Sequence, residues 1–127
     1  MKVLSAKVHT IIGLIVGVVL FLAPAIFGFG ANQAATLTAQ LVGVFIVFSE
    51  LITTSKASLL KVVPMRVHLV LDYATGIFLA ISPWLFGFAS MPANEWVPHL
   101  IVGVLVVGYA LITNPAAETT EAKVAAM

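Results

Sequence analysis

The chain contains no cysteine. That excludes a disulfide framework and a thiolate metal site, and leaves the redox compartment open. Charge is almost as scarce: six Lys or Arg and five Asp or Glu make up 9% of the 127 residues, against about a quarter in a soluble domain. So few polar residues cannot form the shell around a soluble core. With a net charge of +1, nothing marks a nucleic-acid surface, and no nucleic-acid partner is expected. No Gly-rich phosphate loop, His-Glu-x-x-His helix or nucleophile–base–orienter set occurs. Little chain remains outside the apolar stretches to host a soluble substrate. An enzyme is therefore the least expected class, and no metal ligand set or cofactor is anticipated.

What is present is apolar. Hydrophobic residues make up 61% of the chain and the mean hydropathy is +1.15. Four apolar stretches stand out, at 8–29, 35–54, 67–88 and 98–113. An α-helix needs about 20 residues to cross a hydrocarbon core of about 30 Å. The fourth stretch is short and must borrow flanking residues. No alternating strand pattern competes. Met1 to Gly30 has the layout of a secretory signal, with Lys2, Lys7, an apolar run and Ala23-Pro24-Ala25. The same design recurs internally at 67–88, where no signal peptide can lie, so the first stretch reads as an uncleaved span. Lys2 and Lys7 precede stretch one, and Lys56, Lys61 and Arg66 fall in the 55–66 linker, whereas 30–34 and 89–97 hold no Lys or Arg. That bias places both termini on the cytoplasmic side. The residues 114–127 are expected to form a frayed cytoplasmic tail after a single four-helix domain spanning 1–113.

The chain is also an internal duplication. Val8-His9 matches Val67-His68, Gly17 matches Gly76, Leu20 matches Leu79, Pro24 matches Pro83, and Phe27-Gly28-Phe29 matches Phe86-Gly87-Phe88. After one extra residue in the second outer link, Val42-Gly43-Val44 matches Val102-Gly103-Val104 and Leu51-Ile52-Thr53 matches Leu111-Ile112-Thr113. Two spans return the chain to its starting side. Repeat 1 (8–53) and repeat 2 (67–113) thus share one orientation, and a pseudo-two-fold axis along the membrane normal should relate them. The expected fold class is an all-α membrane protein of four transmembrane helices in two tandem two-helix repeats. Gly13-x-x-x-Gly17 in stretch one is a pattern that lets helix backbones approach closely in lipid.

Ser82-Pro83-Trp84, with Gly76 before it and Trp96 and Gly103 after it, resembles the SPW repeat family of small prokaryotic integral membrane proteins, named for that tripeptide in the first of two helices per repeat. The resemblance covers nearly the whole chain outside the tail. Repeat 1 departs from the motif: Ala23-Pro24-Ala25 keeps the proline alone. The resemblance implies a fold and a prokaryotic inner-membrane location, and no activity. Physically, Ser82-Pro83 reads as the end of one helix and the cap of a short new one. Trp84 and Trp96, with Phe27, Phe29, Phe86 and Phe88, read as an outer interfacial belt. A broken helix end aimed at an ion or solute is the functional counterpart of that reading.

Ionisable residues within the spans are few. His9 and His68 are repeat mates near the inner ends of stretches one and three. Asp72 lies one turn beyond His68, about 6 Å deeper, and Glu50 lies near the inner end of stretch two. The repeat mates of the two acids are Gly13 and Ala110. Three readings stay open. The histidines are interfacial, with Asp72 pairing to His68 and Glu50 to Lys56; or Asp72 and Glu50 serve a proton or ion path; or a b-type haem sits between His9 and His68. The function expected is that of a structural or accessory subunit assembling through helix packing, as a homo-oligomer or with another membrane protein. The alternative is a small channel or transporter for protons or a small solute using Asp72 and Glu50.

Overall fold

A computed structural model describes residues 2–115. It contains four helices: α1 Ala6–Ile26, α2 Gln33–Ile52, α3 Met65–Leu85 and α4 Ala93–Leu111. Each is long and apolar enough to cross a membrane, and no more than 39% of each apolar window is buried inside the bundle. The remainder faces outward, which suits lipid. From residue 116 on, the tail expectation lies outside the described residues.

Local chemistry explains the helix boundaries. Ser5 caps α1 by accepting from the Val8 N–H, and Asn32 caps α2 by accepting from the Ala35 N–H. Both Phe-Gly-Phe motifs terminate a helix. Gly28 and Gly87 take φ of +74° and +76°, the left-handed conformation that glycine adopts without a Cβ clash. The chain then turns back, so that the Phe29 N–H donates to the Pro24 carbonyl and the Phe88 N–H to the Pro83 carbonyl. This reversal sends Phe29 and Phe88 into the core at 1% and 2% exposure. They are not part of the aromatic belt. Exposed Trp84, Phe27 and Phe86 remain at that end, with Trp84 edge-on to the half-buried Trp96.

The helix break expected at Ser82-Pro83 does not occur. Helix α3 runs through Pro83, as α1 runs through Pro24. Proline removes the N–H that would have bonded the Leu79 carbonyl. The Ser82 hydroxyl takes its place, donating to that carbonyl at 2.7 Å. Serine is thus a donor to its own helix and not a cap. In α1 the equivalent residue is Ala23, which has no hydroxyl to give. Ser82→Ala should cost about 1 kcal/mol, the worth of one buried hydrogen bond, read as a lower melting temperature in mild detergent with the fold retained.

Helix α4 starts at Ala93, earlier than expected, and takes in Trp96, Pro98 and His99. Glu95 therefore lies in its first turn and not in a link. There it complements the positive end of the helix dipole and accepts from Asn32 Nδ2 at 2.5 Å.

Helix α1 packs most extensively on α2, and α3 on α4. The two pairs use matching glycines. A Cβ on Gly17 would lie 2.9 Å from the Gly43 carbonyl oxygen, and one on Gly76 would lie 2.7 Å from that of Gly103. The backbones touch because no side chain intervenes. The end where α1 and α3 begin repeats its contacts too. Leu4 pairs with Thr113 in a two-residue parallel strand pair, and Val63 bridges to Thr53 in the same sense. These strands are short enough that no alternating pattern announces them.

Candidate functional site

Three of the helices bring His9, Glu50, His68 and Asp72 together at the end of the bundle where α1 and α3 begin. His9 and His68 occupy the first turns of α1 and α3, Glu50 the last turn of α2, and Asp72 the next turn of α3. All four are sealed from solvent, at 0%, 0%, 0% and 3% exposure. Both histidines are buried inside the bundle, and Glu50 turns to them. The Gly13 position makes this possible: any Cβ there would collide with the Glu50 side chain. Each repeat thus delivers one imidazole and one carboxylate, with the carboxylates on non-equivalent helices.

Nitrogen and oxygen alternate around the cluster. His9 Nε2 lies 2.7 Å from Asp72 Oδ2, which lies 3.2 Å from His68 Nε2. His68 Nε2 lies 3.0 Å from Glu50 Oε1, which lies 3.5 Å from His9 Nε2. Close approach is not the same as bonding here. His9 Nε2, Asp72 Oδ2 and Glu50 Oε2 are buried and have no aligned hydrogen-bond partner among the described residues. The 2.7 Å contact between His9 and Asp72 is short in distance and off the hydrogen-bonding direction.

The outer nitrogens are held in matching ways. His9 Nδ1 meets Thr113 Oγ1 at 2.8 Å, and His68 Nδ1 meets Thr53 Oγ1 at 2.7 Å. Each threonine hydroxyl already gives its single proton to a carbonyl four residues back, Tyr109 for Thr113 and Ser49 for Thr53. Each hydroxyl can then only accept from the histidine, so Nδ1 carries a proton in both rings. His68 Nε2 is also hydrogen-bonded to Glu50 Oε1 at 3.0 Å, which requires a proton on the ring nitrogen or on the carboxyl group. With that proton displaced, each ring would turn an Nε2 lone pair toward the carboxylates. Such a grouping is stable only if cations or protons fill it. The two rings meet edge to face with centroids 5.3 Å apart.

Next to the cluster, the middle of the bundle is lined by apolar side chains. Ile46, Val106, Leu20 and Leu79, two pairs of repeat mates, are at most 1% exposed and belong to one continuous core with Phe29 and Phe88. At the far end His99 is fully buried. Its Nε2–H donates to the Ala35 carbonyl at 2.9 Å, and its ring packs against Phe29 and Phe88. Sequence reasoning gave no site role to Thr53, Thr113 or Tyr109, whose ring packs edge-on to His9. The matched Leu-Ile-Thr triplets were the available signal for the threonines. Ser82, Pro83 and Trp84 lie at the opposite end of α3 from the cluster. Gly13 borders Glu50, whereas Gly17 and Gly76 serve helix contacts.

Four long apolar helices, with their acids and histidines gathered inside, define a multi-pass integral membrane protein. The chain belongs to the SPW repeat domain family, whose family model matches residues 7–113. Comparison with curated proteins and with solved structures gives no match.

Proposed function

We propose that the chain is a structural or accessory subunit of a prokaryotic cytoplasmic membrane, and not an enzyme. In this reading both termini are cytoplasmic. The location of Lys2, Lys7, Lys56, Lys61 and Arg66 at the end where α1 and α3 begin supports that orientation. The observation that carries the proposal is the closure of the polar cluster. Asp72 and Glu50 meet two histidines in a sealed group, and the apolar core, not a chain of polar side chains, continues from them toward the outer end. A carrier or channel needs polar partners along its route. What the bundle offers its surroundings is an apolar outer face, with Ile15, Leu41, Val44, Phe48, Ile77 and Val104 more than half exposed. Such a face suits helix contacts within a homo-oligomer or with another membrane protein.

Native mass spectrometry from nanodiscs should reveal a discrete oligomer or a stoichiometric membrane partner. Proteoliposomes should pass protons no faster than empty vesicles. Proton flux by the wild type that Asp72→Asn abolishes would replace this reading with the transport one.

A further inference from the structure

We propose that His9, Glu50, His68 and Asp72 bind one divalent first-row transition-metal ion of the zinc type, within the membrane-spanning bundle. This departs from the sequence-based expectation of no metal ligand set. The donor geometry is the first support. One atom from each residue lies within 4.8 Å of the other three, and the alternating contacts run from 2.7 to 3.5 Å. Four bonds of about 2.1 Å in a tetrahedron put neighbouring ligand atoms about 3.4 Å apart. To reach that shape the closest contact opens by about 0.7 Å, and the two pairs across the ring, His9 with His68 and Glu50 with Asp72, which lie within 4.8 Å, come to the same spacing.

The second support is independent of spacing. Three polar atoms, His9 Nε2, Asp72 Oδ2 and Glu50 Oε2, are buried without a hydrogen-bond partner among the described residues. Polar atoms left unpaired in an apolar interior are costly. They are the atoms, or the second oxygen of the carboxylate, that a central cation would engage.

The threonines supply the third. Thr53 and Thr113 accept from the Nδ1–H groups, so that in the neutral form of each ring the Nε2 lone pair points inward. An outer partner on the far nitrogen is the arrangement that orients metal-bound histidines. Charge agrees: two carboxylates and one divalent ion sum to zero, the condition for burial in a lipid-spanning core. Two imidazole nitrogens and two oxygens, without sulfur, suit zinc and its neighbours over the oxygen-seeking magnesium or calcium and over copper(I). Four protein ligands leave no open position, so the ion would brace the bundle and would not do chemistry. This inference goes beyond the subunit reading and does not depend on it.

The test uses the full chain, purified in mild detergent, treated with chelator and then titrated with Co²⁺. One equivalent per chain should produce the visible d–d bands of a tetrahedral nitrogen–oxygen site, Zn²⁺ should displace it, and either ion should raise the melting temperature. Thr53→Val leaves every ligand in place and should weaken binding by about 10- to 100-fold. The double variant His9→Gln with His68→Gln should abolish the bands. A wild type with no saturable cobalt spectrum would overturn the proposal, and the cluster would then be an ion group neutralised by protons. Bands that persist in the double variant would overturn it equally. The wild-type spectrum decides even if a variant fails to fold, and neither oligomer mass nor flux enters the result.

Discussion

Asp72→Ala should destabilise the bundle by about 3–5 kcal/mol, the range for breaking a buried charge group by removing one partner. Asp72 Oδ2 lies within 3.2 Å of both inner histidine nitrogens. Without it, Glu50 alone must balance whatever the rings carry, in a place where both acids and both rings are sealed from water. The asymmetry of such clusters gives a sharper expectation. Replacing all four residues together by apolar side chains of similar volume should recover most of the loss, because no orphan charge is left behind. Reversible denaturation in mixed micelles measures both. A loss below about 1 kcal/mol for the single variant, the level of an exposed ion pair, would mean that the cluster is hydrated.

The second large effect concerns α3 and α4. Gly103→Leu should drive the two helices apart. Even the first carbon of the new side chain would lie 2.5 Å from both the Ala80 nitrogen and the Gly76 carbonyl oxygen. Those are backbone atoms of a helix, which cannot swing aside as a side chain tip can. Overpacking of this kind costs about 1–3 kcal/mol when side chains can yield, and it should reach the upper end or beyond here. Gly108 is the control within the same helix. Nothing lies within 4 Å of a Cβ placed there, so Gly108→Ala should be neutral or slightly stabilising through helix propensity. Equal melting temperatures for Gly103→Leu and Gly108→Ala would mean that α3 and α4 are not in backbone contact.

Much of the architecture was legible because the bilayer imposes a length. Four apolar stretches near 20 residues indicated four crossings, and the basic residues, before the first and between the second and third, set their sense. The matching of His9 with His68, and of Thr53 with Thr113 after one extra residue, exposed the duplication. The four residues of the cluster were also nameable, because ionisable groups are rare in such segments. Their convergence was not. Position along a helix tells depth, but whether His9 faces Glu50 depends on how α1 rotates against α2, and that is set by Gly13 and Gly17 meeting α2. The break expected at Pro83 fails because a helix tolerates the loss of one N–H bond where a neighbouring hydroxyl such as that of Ser82 satisfies the stranded carbonyl. Phe29 and Phe88 looked interfacial because a left-handed glycine reverses the chain just before each of them.

The histidine–threonine contacts cross between the halves of the molecule: His9 of the first hairpin is held by Thr113 at the end of the second, and His68 of the second by Thr53 of the first. Synthesis runs from the N-terminus, so the first hairpin enters the membrane with Glu50 and His9 lacking the groups that complete them. Asp72 and His68 arrive with the third helix, and Thr113 only when the fourth is in place. The polar centre is therefore complete only when all four helices are in place, and a chain that stops before the last helix end leaves His9 without its threonine.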